Sequence, residues 1–130
     1  MKKADTGLLK NCFSPSAVFQ TIQDDKGVIT IIEEKIAEFI DFVGKETVGA
    51  ADEQIVIETV KIDGPMAMLW APYKFYYKGK FSHCGVNSFQ LIRLNTGWKI
   101  QYIIDSRRKD GICSYLCLTL YFLFTLGLLK

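Results

Sequence analysis

Four side chains in the second half of the chain carry groups suited to proton transfer and hydrogen-bond recognition: Tyr73, His83, Asn87 and Asp105. An aspartate in an apolar cavity has its pKa raised, which suits a carboxylate that takes and returns a proton. An imidazole serves as a general base or as a donor to developing charge. A phenol and an amide polarise a ligand carbonyl as an oxyanion hole does. Each has a plainer alternative. Asp105 can end a strand and pair with Arg107 or Arg108 at the surface, which the rarity of buried charge favours. His83 can be an interior histidine held by Tyr73 or Asp105, while Tyr73 and Asn87 satisfy each other.

Strand register decides whether these groups meet. From residue 54 onward the chain reads as a strand meander over 54–63, 66–76, 80–94 and 98–105, broken at Asp63-Gly64, Lys78-Gly79 and Asn95-Thr96-Gly97. Three-residue hairpin loops ending in a left-handed glycine fit both Tyr77-Lys78-Gly79 and Asn95-Thr96-Gly97. Counting outward from the first pairs Phe75 with Phe81, Tyr73 with His83, Ala71 with Gly85, and Leu69 with Asn87. Counting outward from the second pairs Phe89 with Ile103 and Asn87 with Asp105. One face then carries Leu69, Ala71, Tyr73, Phe75, His83, Gly85, Asn87, Phe89, Ile103 and Asp105. Ala71 and Gly85 leave space between the polar groups, and an apolar concavity with a few convergent polar groups suits a small ligand. Asp105 and His83 are the catalytic candidates. Tyr73, Asn87, Leu69 and Phe89 are the ligand-binding candidates.

The opposite face is also apolar: Met66, Met68, Trp70, Val86, Ile92, Trp98, Ile100, Tyr102 and Ile104. Helices cover one face, and a second copy of the chain is the simplest cover for the other, so a homodimer packed sheet to sheet is expected. Upstream, residues 5–13 read as a short helix, 17–22 and 28–29 as short strands around the turn Asp24-Asp25-Lys26-Gly27, and Thr30-Ile31-Ile32-Glu33 as a capping box. The capped helix carries Ile32, Ile36, Phe39, Ile40 and Val43 on one stripe, and Gly44 stops it. Two helices followed by long antiparallel strands give an α+β domain.

At 130 residues the chain suits one domain, and 49% hydrophobic content excludes disorder. A net charge of +2 is too balanced for a protein devoted to nucleic acid. The bases and aromatics of residues 73–81 interleave as in some single-strand binders, but a lysine-edged strand explains them, and no nucleic-acid partner is expected. Charge is uneven: residues 1–60 hold six bases and eleven acids, and residues 61–130 ten bases and three acids. With one histidine and no second CxxC-type cysteine pair, no metal centre and no cofactor are expected. The spacing of Cys12, Cys84, Cys113 and Cys117 is no disulfide framework, so reduced thiols and a cytoplasmic location are expected. The 18 uncharged residues of Ile112 to Leu129 would span about 27 Å as a helix, just short of a hydrocarbon core. Preceded by Arg107, Arg108 and Lys109, this tail (111–130) stands apart from the domain (1–110). It reads as a membrane tether through residues 112–129, as a buried or aggregation-prone strand given its Tyr, Phe and Thr, or as the product of a truncated or frame-altered gene.

The stretch from Trp70 through SHCGVNSFQL to Leu91, together with Gly97–Arg108 and Cys12–Val18, resembles the lumazine-binding family of the nuclear transport factor 2-like, SnoaL-type superfamily. The resemblance implies a cone-shaped α+β fold, cystatin-like, in which a curved antiparallel sheet packed by helices wraps a pocket. Homodimers are common in that superfamily. It also implies that a first long helix is missing here. The superfamily holds cofactor-independent isomerases, dehydratases and cyclases as well as noncatalytic binding modules, so fold leaves function open. The leading expectation is a dimeric small-molecule-binding domain for a small hydrophobic or aromatic ligand. The alternatives are an acid–base enzyme using Asp105 or His83, and a tethering module.

Overall fold

A computed structural model of the chain describes residues 4–109 and residue 113. Two helices and seven strands follow in the order α1 (Thr6–Asn11), β1 (Phe13–Asp25), β2 (Val28–Glu34), α2 (Ile36–Lys45), β3 (Ala51–Ile55), β4 (Thr59–Asp63), β5 (Met66–Tyr77), β6 (Lys80–Leu94) and β7 (Gly97–Arg107). The strands form one curved sheet in the order β2-β1-β7-β6-β5-β3, with β4 also on β5. The fold is the expected α+β arrangement, mostly antiparallel. β1 and β7 run parallel, a non-local pairing that hairpin chemistry does not encode.

The upstream half departs from the expected elements. Thr30 opens no helix. Val28–Glu34 is the second arm of a hairpin with β1, and the helix starts at Ile36 after Lys35, which makes no side-chain cap bond. The run Val28-Ile29-Thr30-Ile31-Ile32 is rich in β-branched residues, and a paired neighbour turns that preference into a strand. Its turn places Lys26 and Gly27 at positive φ, with the Gly27 amide donating to Asp24 Oδ1 at 2.8 Å. Gly44 is no stop either. It lies inside α2, where an added Cβ would meet Thr6 Cγ2 of α1 at 2.7 Å, so its role is to let the two helices touch.

The stretch expected as one strand over 54–63 is two. Both β3 and β4 pair with β5, and the break falls opposite Pro72. Proline has no amide hydrogen for the ladder, and the edge chain bulges there: Val56 donates to the Pro72 carbonyl and Glu58 to that of Trp70.

A second irregularity redistributes the apolar faces. Tyr102 pairs with Gln90 but Ile100 pairs with Leu91, so Gln101 is the extra residue of a bulge. Ile100 and Trp98 therefore follow Leu91 and Arg93, on the face opposite to the one expected. Gln101 is held by a matching irregularity in β1, where the Ser14 hydroxyl donates to its Oε1 at 2.6 Å and its amide donates to the Ser16 carbonyl at 3.2 Å. Ile100 pairs with Phe13, whose ring meets Phe39 of α2. Phe39 also packs edge-on against Phe19 at 5.5 Å, so α2 covers the face that carries Phe19 and its partner Ile103, hereafter the inner face.

The cysteines also differ from expectation. Cys84 and Cys113 form a disulfide, with Cα atoms 6.0 Å apart, while Cys12 is free and exposed. Cys84 and Arg108 exchange both backbone hydrogen bonds, which carries the chain after β7 alongside Cys84. Among the described residues, no helix is long and apolar enough to cross a membrane. The expectations for the tail at 112–129 lie, apart from Cys113, outside the described residues.

Candidate functional site

The inner face is graded. Under α2 it is apolar, with Phe19, Ile103, Phe89 and Leu69 side by side across four strands. One step further from the helix the row reads Thr21, Asp105, Asn87 and Ala71. Beyond that lie Gly85 paired with Tyr73, then His83 paired with Phe75. The four polar groups singled out in the sequence share this face.

The pairs are nevertheless not those counted from the loops. The first hairpin has a two-residue turn, Lys78-Gly79, both at positive φ, and Tyr77 pairs with Lys80. That moves the register by one residue. A bulge between Phe75 and Tyr76 moves it once more, so Tyr73 opposes Gly85, Ala71 opposes Asn87, and Leu69 opposes Phe89. Two shifts of one residue restore the original face, because side chains alternate with period two. In the second hairpin Leu94 pairs with Gly97, and the Gln101 bulge restores the expected pairs Phe89–Ile103 and Asn87–Asp105.

Asp105 is only 4% exposed, and its Oδ2 takes two donors: Arg107 Nε at 3.1 Å and the Tyr73 hydroxyl at 3.2 Å. The pairing with Arg107 foreseen for a surface aspartate is present, but it lies inside the sheet's concavity. Arg107 continues to Thr21 Oγ1 at 3.1 Å and to Glu34 at 3.8 Å. Asp105 Oδ1 is buried and has no hydrogen-bond partner among the described residues. The same Tyr73 hydroxyl lies 2.8 Å from the Ser106 carbonyl oxygen, so its single proton is shared between the two acceptors. Burial first, then the neighbouring Asp105 carboxylate, push its phenol well above the ordinary 10.0, so it stays a donor.

The space foreseen at Gly85 is occupied by backbone. A Cβ on Gly85 would lie 1.8 Å from the Ser106 carbonyl oxygen. Between the Asn87–Asp105 pair and the Cys84–Arg108 bridge the β6–β7 ladder is interrupted, and Val86 donates to Ser106 Oγ at 3.2 Å instead of to a carbonyl. The freed Ser106 carbonyl passes over Gly85 to meet Tyr73. Ala71, fully buried, keeps the sheet low between Asn87 and the far edge. Asn87 Nδ2 reaches across to Glu53 Oε1 on β3 at 2.6 Å. Desolvation raises the Glu53 pKa above its ordinary 4.5, against the Asn87 hydrogen bond; the Asp105 charge raises it further, and Arg107 lowers it.

His83 lies at the rim, its ring tilted over Phe75 at 5.0 Å and edge-on to Tyr73 at 5.7 Å. Its Nδ1 is 2.9 Å from the Ser82 hydroxyl, and no hydrogen bond joins it to Asp105 among the described residues. Desolvation, then Arg107, lower its pKa below the ordinary 6.5, with Asp105 opposing and Lys109 adding to the fall. It is a neutral imidazole near neutral pH.

Glu53, Thr21 and Ser106 belong to this cluster and were not singled out in the sequence, and Arg107 was named there only as a surface partner of Asp105. Arg107 was within reach of the reading, since it stands two residues from Asp105 on one strand and so on one face. Glu53 lay outside the expected strand limits. A surface cavity of about 910 Å³ lies elsewhere, between the helices and the start of β1, lined by Phe13, Ala17, Ile36, Ile40, Lys10 and Lys99. None of the six candidate residues lines it, nor the cavity of about 640 Å³ between the turns at Gly64–Pro65 and Asn95–Gly97.

This architecture is that of the nuclear transport factor 2-like, cystatin-like proteins. A nuclear transport factor 2-like protein of unknown function from Shewanella baltica OS155 superposes with a TM-score of 0.60 at 17% identity, over 84% of this chain and 82% of that one. One with a cystatin-like fold from Novosphingobium aromaticivorans gives 0.60 at 12%, over 86% and 75%. A cystatin-like protein of unknown function from Nostoc punctiforme PCC 73102 gives 0.60 at 8%, over 83% and 80%. At these identities the likeness concerns the fold alone. No protein-family profile matches the chain, and no curated protein does.

Proposed function

We propose that the chain is a small-molecule-binding domain whose inner sheet face takes a small, largely apolar molecule with an N–H or O–H group directed at Asp105 Oδ1. That buried oxygen, without a partner among the described residues, carries the reading. Leaving such an acceptor unsatisfied costs about 1–3 kcal/mol, and a ligand donor recovers it. Leu69, Phe89 and Ile103 supply the apolar contact, and Tyr73 and Asn87 flank the acceptor. The segments resembling the lumazine-binding family supply β5, β6 and β7, the strands that carry this face, and a flat heteroaromatic ring with N–H donors suits it. The second subunit of a homodimer covers the outer face.

The test is a thermal-shift screen of small aromatic N–H and O–H donors at millimolar concentration on wild type and Asp105→Asn. Wild type gains several degrees with the best binder, and the variant loses most of that gain. No shift with any compound, or equal shifts in both proteins, overturns the reading.

A cofactor-independent acid–base enzyme is the second reading. It is favoured by a carboxyl whose pKa is raised, Glu53, and a neutral imidazole, His83, on the same face. It requires a turnover that Asp105→Asn or His83→Gln reduces by at least about a hundredfold.

A further inference from the structure

The disulfide stands directly behind the proposed site. His83 and Gly85 point to the inner face, and the alternation of β6 turns Cys84 between them to the other side. Cys84 is fully buried and Cys113 is 7% exposed. The end of β7 is held to β6 at two places: the Asn87–Asp105 pair, and the Cys84–Arg108 bridge with hydrogen bonds of 2.9 and 2.7 Å. Ser106 and Arg107 span the interruption between them, and both belong to the site. The disulfide adds a covalent hold just beyond the second place.

We propose that Cys84–Cys113 is a redox latch on the inner-face site: oxidised, it fastens the chain beyond β7 to β6 and so keeps Ser106 and Arg107 against Tyr73 and Asp105; reduced, it lets that end of β7 open. The functional consequence rests on the binding reading above, but the latch itself does not. The reductant is a small dithiol. One of its thiolates attacks Sγ of Cys113, the less buried of the two residues, breaking the S–S bond and releasing Cys84 as a thiolate that takes a proton. The second thiolate attacks the reductant's own sulfur in the mixed disulfide, and Cys113 leaves as a thiolate that is protonated in turn. The protein gains two electrons and two protons, and the dithiol becomes a cyclic disulfide.

The experiment uses the full chain, needs no ligand, and begins with peptide mapping under non-reducing conditions. The expected result is a Cys84–Cys113 cross-linked peptide; Cys84 found as a free thiol, or bonded to another cysteine, overturns the proposal. Hydrogen exchange is then followed with and without dithiothreitol. Amides in peptides covering 84–88 and 105–109 exchange at least tenfold faster after reduction, while those of the β1–β2 hairpin keep their rates. Equal rates at 105–109 in both states overturn the latch. Cys113→Ala reproduces the reduced pattern without reductant; if that variant fails to fold, the wild-type comparison alone decides. Loss of ligand response with the latch intact would count against the binding reading only.

Discussion

At the scale of single residues, one position shapes the site by close contact. Gly85 is required by contact, not by turn geometry, because the Ser106 carbonyl oxygen occupies the place of its missing Cβ. Gly85→Ala must push backbone away from backbone. It should lower stability by about 3 kcal/mol, at the upper end of overpacking costs, and the loss is read from chemical denaturation. Gly79→Ala, where nothing lies within 4 Å and only positive φ is at stake, should cost less. Glu53 and His83 give opposite pH signatures. Folded Glu53 keeps its proton above its ordinary 4.5, so stability falls as pH rises from there through the raised pKa. Glu53→Gln removes that fall: its thermal midpoint exceeds wild type at pH 7, and the two converge below pH 4.5. Folded His83 loses its proton below its ordinary 6.5, so the unfolded chain binds more protons in that interval and acidification destabilises the fold. His83→Gln should flatten the slope of midpoint against pH just below 6.5 and leave the Glu53 window untouched.

At the scale of elements, local chemistry competes with pairing, and the outcome decides what a sequence reveals. Gly44 sits within α2, where alanine is favoured by about 1 kcal/mol on helix propensity alone. Contact with Thr6 Cγ2 reverses that sign, so Gly44→Ala should destabilise, while in a Thr6→Ala background the same change should stabilise. A double-mutant cycle by urea unfolding measures the coupling; a stabilising Gly44→Ala in the wild-type background would show that the helices do not meet there. The β5–β6–β7 meander was legible because Lys78-Gly79 and Asn95-Thr96-Gly97 mark its turns and alternation marks its faces. The inner face survived a wrong loop length because the shortened turn and the following bulge cancel in parity. Trp98 and Ile100 fall on the other face because they lie between the shortened second turn and the Gln101 bulge that cancels it. The β1–β2 hairpin was misread because Thr30-Ile31-Ile32-Glu33 satisfies a capping pattern and a β-branched pattern at once. Only the cross-strand pairing of Ile22 with Ile31 separates the two. The Cys84–Cys113 bond and the Asn87–Glu53 contact depend on such pairings too, and spacing along the chain carries no trace of them.

At the scale of the whole molecule, one face of the sheet is covered by α2 and the other has no helix on it among the described residues. The outer face keeps Met66, Met68, Trp70, Val86, Ile92, Tyr102 and Ile104 after the Gln101 bulge has turned Trp98 and Ile100 inward. Trp70 is 42% exposed and Met66 53%. Polar residues interrupt the patch at Ser88 and Gln90, and Tyr102 donates to Gln20 at 2.7 Å, so its phenol is satisfied without a partner chain. This mixture of apolar anchors and satisfied polar groups is what a two-fold interface uses, where one patch must complement itself. A second copy laid sheet to sheet would bring the two Trp70 side chains into the shared surface, and tryptophan is among the residues enriched at interface anchors. Sedimentation equilibrium at micromolar concentration should therefore give twice the mass of one chain. Trp70→Glu should weaken association by roughly thirtyfold or more while leaving the circular dichroism spectrum unchanged, since the side chain it replaces is already partly in water in the single chain. A wild-type protein that sediments as one chain across the micromolar range, with the same profile as Trp70→Glu, would mean that the outer face meets solvent and that the sheet is stable with only its inner face packed.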